Sequence, residues 1–201
     1  MIPVFPTTYF GSIAYYSELA KYSEVIIEAK EYWPKQTFRN RCDIVGANGI
    51  LSLSIPTERP HGSKTPTDSI LIPSTENWRS RHWRSIQNAY SSAPYFDYYG
   101  IEIKELMLDE EINLLQYNTK IMERVIDWLD LDTTLSLTEE FAPVIHNDPR
   151  DILARKNTTN ETIKAPYIQV FHDSNMYRST LSILDAILCH GPLTRNILIK
   201  R

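Results

Sequence analysis

Residues 2–28 change periodicity twice, and that alternation restricts the fold more than any other feature of the 201-residue chain. Residues 2–5 read as a short strand, and Pro6-Thr7-Thr8 supplies a turn with a helix-capping hydroxyl. From Tyr9 to Lys21 the side chains Phe10, Ile13, Ala14, Tyr16 or Ser17, and Ala20 recur at helical spacing. Residues 24–28 then form an apolar run of strand length. Strand, helix and strand in that order predict a βαβ unit with parallel strands. Glu28 then stands at the carboxyl end of a parallel strand, the end outside which open α/β sheets bind ligands.

The remainder predicts a hairpin followed by a largely helical second half. Residues 38–45 and 50–55 flank Gly46-Ala47-Asn48-Gly49, and Asn-Gly between strand-forming segments signals a tight hairpin because both residues tolerate positive φ. Residues 56–69 read as a loop, and 70–72 as a further short strand. A helix is expected over 76–93, with Trp78, Trp83, Ile86, Ala89 and Tyr90 on its apolar stripe. A longer one is expected from Asp109, with Leu108, Ile112, Leu115, Thr119, Met122, Ile126 and Leu129 in line. Strands are expected at 133–137 and 167–171, a polar loop with one short helix near Ile152 between them, and a helix over 180–189 stopped by Gly191-Pro192. The fold class is therefore α/β: a parallel-strand βαβ core with an inserted Asn-Gly hairpin and a largely helical second half, in a single domain over 1–201. Its parts are 1–72 (α/β and hairpin), 73–131 (helical) and 132–201 (strands, loop and final helix).

Composition narrows the function classes. No basic segment followed by an apolar one opens the chain, and no apolar run reaches the roughly 18 to 20 residues of a membrane span. Neither a secretory signal nor membrane insertion is expected, and two cysteines fit a reducing cytoplasm better than a disulfide scaffold. The net charge of −4 argues against DNA, yet residues 35–84 carry a local +4. A basic region on an acidic chain suits a small anionic ligand. With six glycines there is no Gly-x-x-x-x-Gly-Lys or Gly-x-Gly-x-x-Gly loop for phosphates, no Gly-x-Ser-x-Gly elbow and no His-Glu-x-x-His pair. No cofactor is expected, and His146-Asn-Asp148 is too sparse for a metal site.

The candidate site lies in Glu28-Ala-Lys-Glu-Tyr-Trp-Pro-Lys-Gln-Thr-Phe-Arg-Asn-Arg-Cys42. If residues 36–42 are extended, Lys35, Thr37, Arg39 and Arg41 share one face, and Gln36, Phe38, Asn40 and Cys42 share the other. Two arginines side by side form a fork for carboxylate or phosphate, or they are ion-pair partners of Glu28 and Glu31. Cys42 is a nucleophile if His61 or His82 is near it, and otherwise a packed residue. Trp78, with Trp83 and Tyr90, stacks on a sugar or base or belongs to the core. Asp185, at the edge of an apolar stripe, needs a partner.

The sequence resembles the WbqC-like protein family. The motifs are Glu28-x-x-Glu31-Tyr32-x-x-Lys35-Gln36-Thr37-x-Arg39-Asn40-Arg41-Cys42, the Asn-Gly segment with Leu53-Ser54-Ile55-Pro56, and Trp78-Arg79-x-x-His82-x-x-x-Ile86-x-x-x-Tyr90. Ala93-Pro94-Tyr95-Phe96 and Leu181-Ser182-Ile183-Leu184-Asp185 with Gly191-Pro192 complete the set. Phe5, where members carry glutamine, and the absence of glycine between Gly100 and Gly191 mark a divergent branch. The resemblance implies a bacterial, cytoplasmic protein working on activated sugars, since some members are encoded in O-antigen and other surface-polysaccharide clusters.

From these residues and that resemblance, the expected activity is transfer of an acyl or aminoacyl group to a nucleotide-linked amino sugar, the donor being carrier-linked. Glu28 or Glu31 would be the base. Arg39 and Arg41 would hold the anion, and Lys35, Asn40 and His82 would orient substrate or stabilise an oxyanion. Gln36, Trp78 and Asp185 complete the expected binding set. The alternative is a non-catalytic binding or assembly protein with a buried Glu–Arg network.

Overall fold

The computed structural model describes residues 2–34, 37–74, 77–144, 148–153, 167–171 and 179–199. In chain order the elements are β1 (Val4–Pro6), α1 (Ile13–Leu19), β2 (Glu24–Glu28), β3 (Arg41–Gly46), β4 (Gly49–Ser54), α2 (Trp78–Tyr90), α3 (Phe96–Leu108), α4 (Leu114–Trp128), β5 (Thr134–Leu137), α5 (Pro149–Ile152), α6 (Ile183–His190) and α7 (Thr194–Ile199). Among the described residues, no helix is long and apolar enough to cross a membrane.

The βαβ unit forms as expected. β1 and β2 pair in parallel with Pro6 opposite Glu28, and β5 joins the other side of β2, also in parallel. The order β1-β2-β5 places β2 at the centre, so Val25 and Ile27 are buried and Glu28 emerges at the carboxyl edge. Helix α1 starts later than its periodicity suggests. Its cap is Ser12, whose Oγ accepts from Tyr15 N at 3.1 Å. Residues 7–11 form a tight corner first, in which Phe10 takes φ 40° and a Cβ on Gly11 would lie 2.6 Å from Thr8 Cγ2.

Helix α6 lies in the interior. Ile183–Cys189 are all buried, as in a helix surrounded by core, with Asp185 the charged side chain among them. Its entry is fastened to the corner before α1: Ser182 Oγ donates to Phe10 O at 2.8 Å, and Ile183 N to Gly11 O at 2.8 Å. Its exit is Gly191, at φ 58°, where a Cβ would collide with the Tyr95 ring.

Five expectations change. The antiparallel hairpin of β3 and β4 closes with Gly46 opposite Gly49, so Ala47 and Asn48 are its turn residues. Asn48 is not at positive φ; Gly49 is, at 117°, so the Asn-Gly pair does not itself form the turn. Residues 38–40 are a turn and a bend rather than the start of β3, which removes the shared extended face over 36–42. Residues 70–72 make single bridges, Leu71 to both Glu58 and Asn113, and no strand. Residues 108–129 do not make one helix: α3 ends at Leu108 and α4 begins at Leu114, capped by Asn113. The sequence hid α3 because Gly100 interrupts it and Tyr98 and Ile101 point outward, blurring its stripe. Residues 167–171 alternate as a strand would, Tyr167 and Gln169 inward and Ile168 outward, yet form no ladder with any described residue.

Candidate functional site

The carboxyl edge of the parallel sheet carries the densest buried polar cluster among the described residues. Glu28, at 0% exposure, accepts five hydrogen bonds. Lys30 N (2.8 Å), Glu31 N (3.2 Å) and Thr138 Oγ1 (2.9 Å) bind Oε1, and Ala142 N (3.0 Å) and Arg150 Nη1 (3.0 Å) bind Oε2. The chain reversal after β2 supplies the first two donors and the segment after β5 the next two, so the carboxylate organises both crossings.

Arg150 uses every N–H of its guanidinium. Nε and Nη2 donate to Asp148 at 2.9 and 2.6 Å, Nη1 to Glu28 and to Ala142 O (2.6 Å), and Nη2 also to Pro143 O (3.2 Å). Its side chain is 3% exposed. Asp148 also caps α5, accepting from Arg150 N at 2.8 Å. Asp148 raises the guanidinium's pKa above the ordinary arginine value, against the opposing effect of burial, and Glu28 and Glu31 add to the rise. A buried charge of this kind persists only with such partners.

Arg39 is bound differently. Its Nε donates to Glu31 Oε1 at 2.8 Å, and its Nη2 lies 2.6 Å from the same oxygen in an ion pair. The Arg39 carbonyl accepts from Asn118 Nδ2 at 2.7 Å, and the same amide reaches Thr7 Oγ1 at 3.1 Å. Glu31 Oε2 and the remaining N–H groups of Arg39 have no partner among the described residues. Asn118 Oδ1, fully buried, also has none. Arg39 and Arg150 line a cavity of about 20 Å³, together with Thr7, Thr8, Ser12, Tyr15 and Leu153. That volume holds about one water molecule.

The sequence-expected residues separate into this cluster and other places. Glu28, Glu31 and Arg39 are brought together. Arg41 is not: its Nε donates to Ser54 Oγ at 2.8 Å on the hairpin, because the turn at 38–40 breaks the two-residue spacing that would have aligned it with Arg39. The arginine fork is therefore absent. Asn40 is tied to Ile55, its Nδ2 donating to Ile55 O and its carbonyl accepting from Ile55 N, both at 2.8 Å. Lys35 and Gln36 lie outside the described residues, as does His146.

His82 and Trp78 belong to the aromatic core. Trp78 is fully buried against Tyr9, His82 and Tyr117, with the Arg79 guanidinium 4.6 Å from its ring centroid. His82 Nδ1 lies 2.9 Å from Tyr9 Oη. Burial, and then the nearby Arg81 charge, push its pKa down to about 4, while a bond to the Ser54 backbone resists the shift. The ring is engaged by Tyr9 Oη at Nδ1 and by the Ser54 backbone, so it sits in the packed core rather than open to an oxyanion. Cys42 is 2% exposed and its thiol is pushed up by burial and by Asp43, so it stays protonated at neutral pH.

Asp185 forms a second polar centre. Its Oδ1 accepts from Tyr90 Oη (2.9 Å), and its Oδ2 from Tyr167 Oη (2.5 Å) and Gln169 Nε2 (2.7 Å). Burial raises its pKa, and the three hydrogen bonds oppose the rise. Tyr90 Oη also accepts from Val45 N, so Asp185 organises the junction of α2, α6 and the hairpin rather than the sheet edge.

Asp148, Arg150 and the hydroxyls of Thr7, Thr8 and Ser12 were not anticipated. Asp148-Pro149 is a recognisable helix start, which locates Asp148 as a cap. Nothing local reveals that Arg150 reaches Glu28, 122 positions away. Among the described residues no group of three His, Cys, Asp or Glu side chains could hold a metal ion.

The chain is 24% identical over 136 residues to Uncharacterized protein Rv1507c of Mycobacterium tuberculosis (strain ATCC 25618 / H37Rv), a match covering 67% of this chain and 58% of that one. No solved structure matches. Residues 7–162 match the family model of the WbqC-like proteins, a span that holds the whole carboxyl-edge cluster. The chain belongs to the WbqC-like protein family.

Proposed function

We propose that the protein is a transferase that moves an acyl or aminoacyl group from a carrier-linked donor to the amine of an activated amino sugar, in bacterial surface-polysaccharide biosynthesis. The observation that supports it is a small cavity at the carboxyl edge lined by Arg39, whose guanidinium holds the Glu31 carboxylate. Positioned donors stabilise the oxyanion of an acyl transfer, and a neighbouring carboxylate takes the amine proton. In the reaction the amine nitrogen bonds to the donor carbonyl carbon as the carbonyl's bond to the carrier sulfur or oxygen breaks. The proton passes from nitrogen to Glu31 and then to the departing thiolate or alkoxide. The nucleotide-linked, anionic part of the substrate is assigned to no described residue, because both arginines of the cluster are already paired. The link to polysaccharides rests on the family resemblance.

The test is calorimetric titration of the full chain with nucleotide-linked amino sugars and with carrier-linked acyl donors. Binding of one of each class, weakened by Arg39→Met without loss of fold, is the expected result. Absence of binding by every compound, well above cellular concentrations, overturns the reading. A second reading, a non-catalytic binding or assembly protein, is favoured by one observation: Glu28 and Arg150 have no spare acceptor or donor and so act structurally in the state described.

A further inference from the structure

We propose that the outer face of α3 is a self-association surface, on which a second copy of this chain packs antiparallel about a two-fold axis at Ile101. The helix buries Tyr99, Gly100, Ile103 and Met107. At about 100° per residue, Asp97, Tyr98, Ile101, Lys104, Glu105 and Leu108 fall on the opposite face, and all six are exposed. Ile101 is 69% exposed, Tyr98 71% and Leu108 43%, so one stripe leaves three large apolar side chains in water. A helix face that meets only solvent is ordinarily polar.

The charges on this face find no partner within their own helix. Ion pairs along a helix need spacings of three or four residues. Asp97 has Gly100 and Ile101 at those positions, and Lys104 has Gly100, Ile101, Met107 and Leu108. Glu105 has Ile101, Leu108 and two further acids, Glu102 and Asp109. Among the described residues, none of these three side chains makes an ion pair or hydrogen bond. Glu102, on the flank toward α4, differs: it holds Arg124 Nη1 and Trp128 Nε1, each at 3.1 Å.

An identical helix supplies what is missing. Asp97 and Lys104 are seven residues apart on one flank of the stripe, and Tyr98 and Glu105 are seven apart on the other. In an antiparallel pair like flanks meet. Asp97 then faces Lys104 of the second copy, and Tyr98 Oη donates to Glu105 of the second copy, each contact made twice. The midpoints of the two pairs bracket Ile101, which therefore meets its own counterpart on the axis. The same register sets Leu108 against the exposed Pro94, in the turn before α3. One register satisfies all four contacts, and a face shaped for an unrelated protein has no reason to complement itself. The Tyr98 ring is already held edge-on against Tyr99, with centroids 4.7 Å apart. The apolar stripe supplies the attraction, and the charges fix direction and register. A helix of about 20 Å gives an interface below the roughly 1,200 Å² of stable complexes, so the dimer is weak, with Kd on the order of 10–100 μM.

Sedimentation velocity of the full chain over about 5 to 500 μM reads this association, and wild type is expected to pass from monomer to dimer across that range. Ile101→Glu places two like charges on the axis and is expected to stay monomeric, with its thermal melt unchanged because the position is exposed. Asp97→Lys and Lys104→Glu each set like charges opposite one another twice, and each alone is expected to weaken the dimer by about tenfold or more. An equimolar mixture of those two variants regains both ion pairs in one heterodimer. It is expected to associate as tightly as wild type. Should Asp97→Lys disturb the first turn of α3, Ile101→Glu and Lys104→Glu carry the test. A monomer at every concentration overturns the proposal, as does a dimer that survives Ile101→Glu, or a mixture of folded variants that associates no better than its components.

Discussion

Arg150 and Glu28 are 122 positions apart in sequence and meet at 3.0 Å with side chains 3% and 0% exposed. The pair fastens the segment after β5 across the end of the central strand β2. Removal of one partner leaves an uncompensated buried charge. Arg150→Met is expected to lower stability by about 3–5 kcal/mol, read as a shift of the urea midpoint at unchanged slope. Replacing both, with Glu28→Leu added, should recover part of the loss. A shift below about 1 kcal/mol for the single variant would mean that the pair is solvated in solution.

Arg39 and Arg41, alike in sequence, should respond differently. Arg39 is buried and holds Glu31 through a hydrogen bond and an ion pair, whereas Arg41 is half-buried on the hairpin with a hydroxyl partner. Arg39→Met should cost about 1–3 kcal/mol and Arg41→Met less than about 0.5 kcal/mol. Thermal melts of the two single variants check this, and equal losses would contradict the separation of the two side chains.

His82 makes stability depend on pH in a set direction. Its folded-state pKa, about 4, lies below the unfolded value near 6.5, so the unfolded chain binds the extra proton between them. This contribution is fully present above about pH 6.5, falls as the pH drops, and is gone below about pH 4. Its full size is about 3 kcal/mol. Denaturant titrations of wild type and His82→Phe across this window should show the slope in the first and its loss in the second. A slope that persists in the variant would assign it elsewhere.

Asp185 is predicted to matter for folding more than for substrate. Asp185→Leu leaves Tyr90, Tyr167 and Gln169 without their shared acceptor in a buried site. The expected cost is about 2–5 kcal/mol. Sugar binding by the folded fraction of this variant should be unchanged, which titration at low temperature would measure.

The parallel strands were legible because their signals are local. Val25-Ile26-Ile27 between a helical stretch and a polar one reads as a buried strand, and Glu28 at its end follows from strand polarity alone. Glu31 and Arg39 were likewise recognisable as a group from their crowding. Their pairing stood as one of two alternatives, and the turn at residues 38–40 that separates Arg39 from Arg41 leaves only Arg39 paired with Glu31. His82 and Trp78 looked functional because imidazole and indole serve both a site and a core. Only burial distinguishes the two.

The chain by itself determined the βαβ core, the hairpin segment and the polar stretch after β2, since each follows from periodicity and turn chemistry within a few residues. Tertiary structure alone decided that Arg150 and Asp148 complete that stretch and that Arg41 and Asp185 do not. The reason is physical. A carboxylate buried at a sheet edge must be paired, and its partner is set by which distant segment the packing carries over that edge.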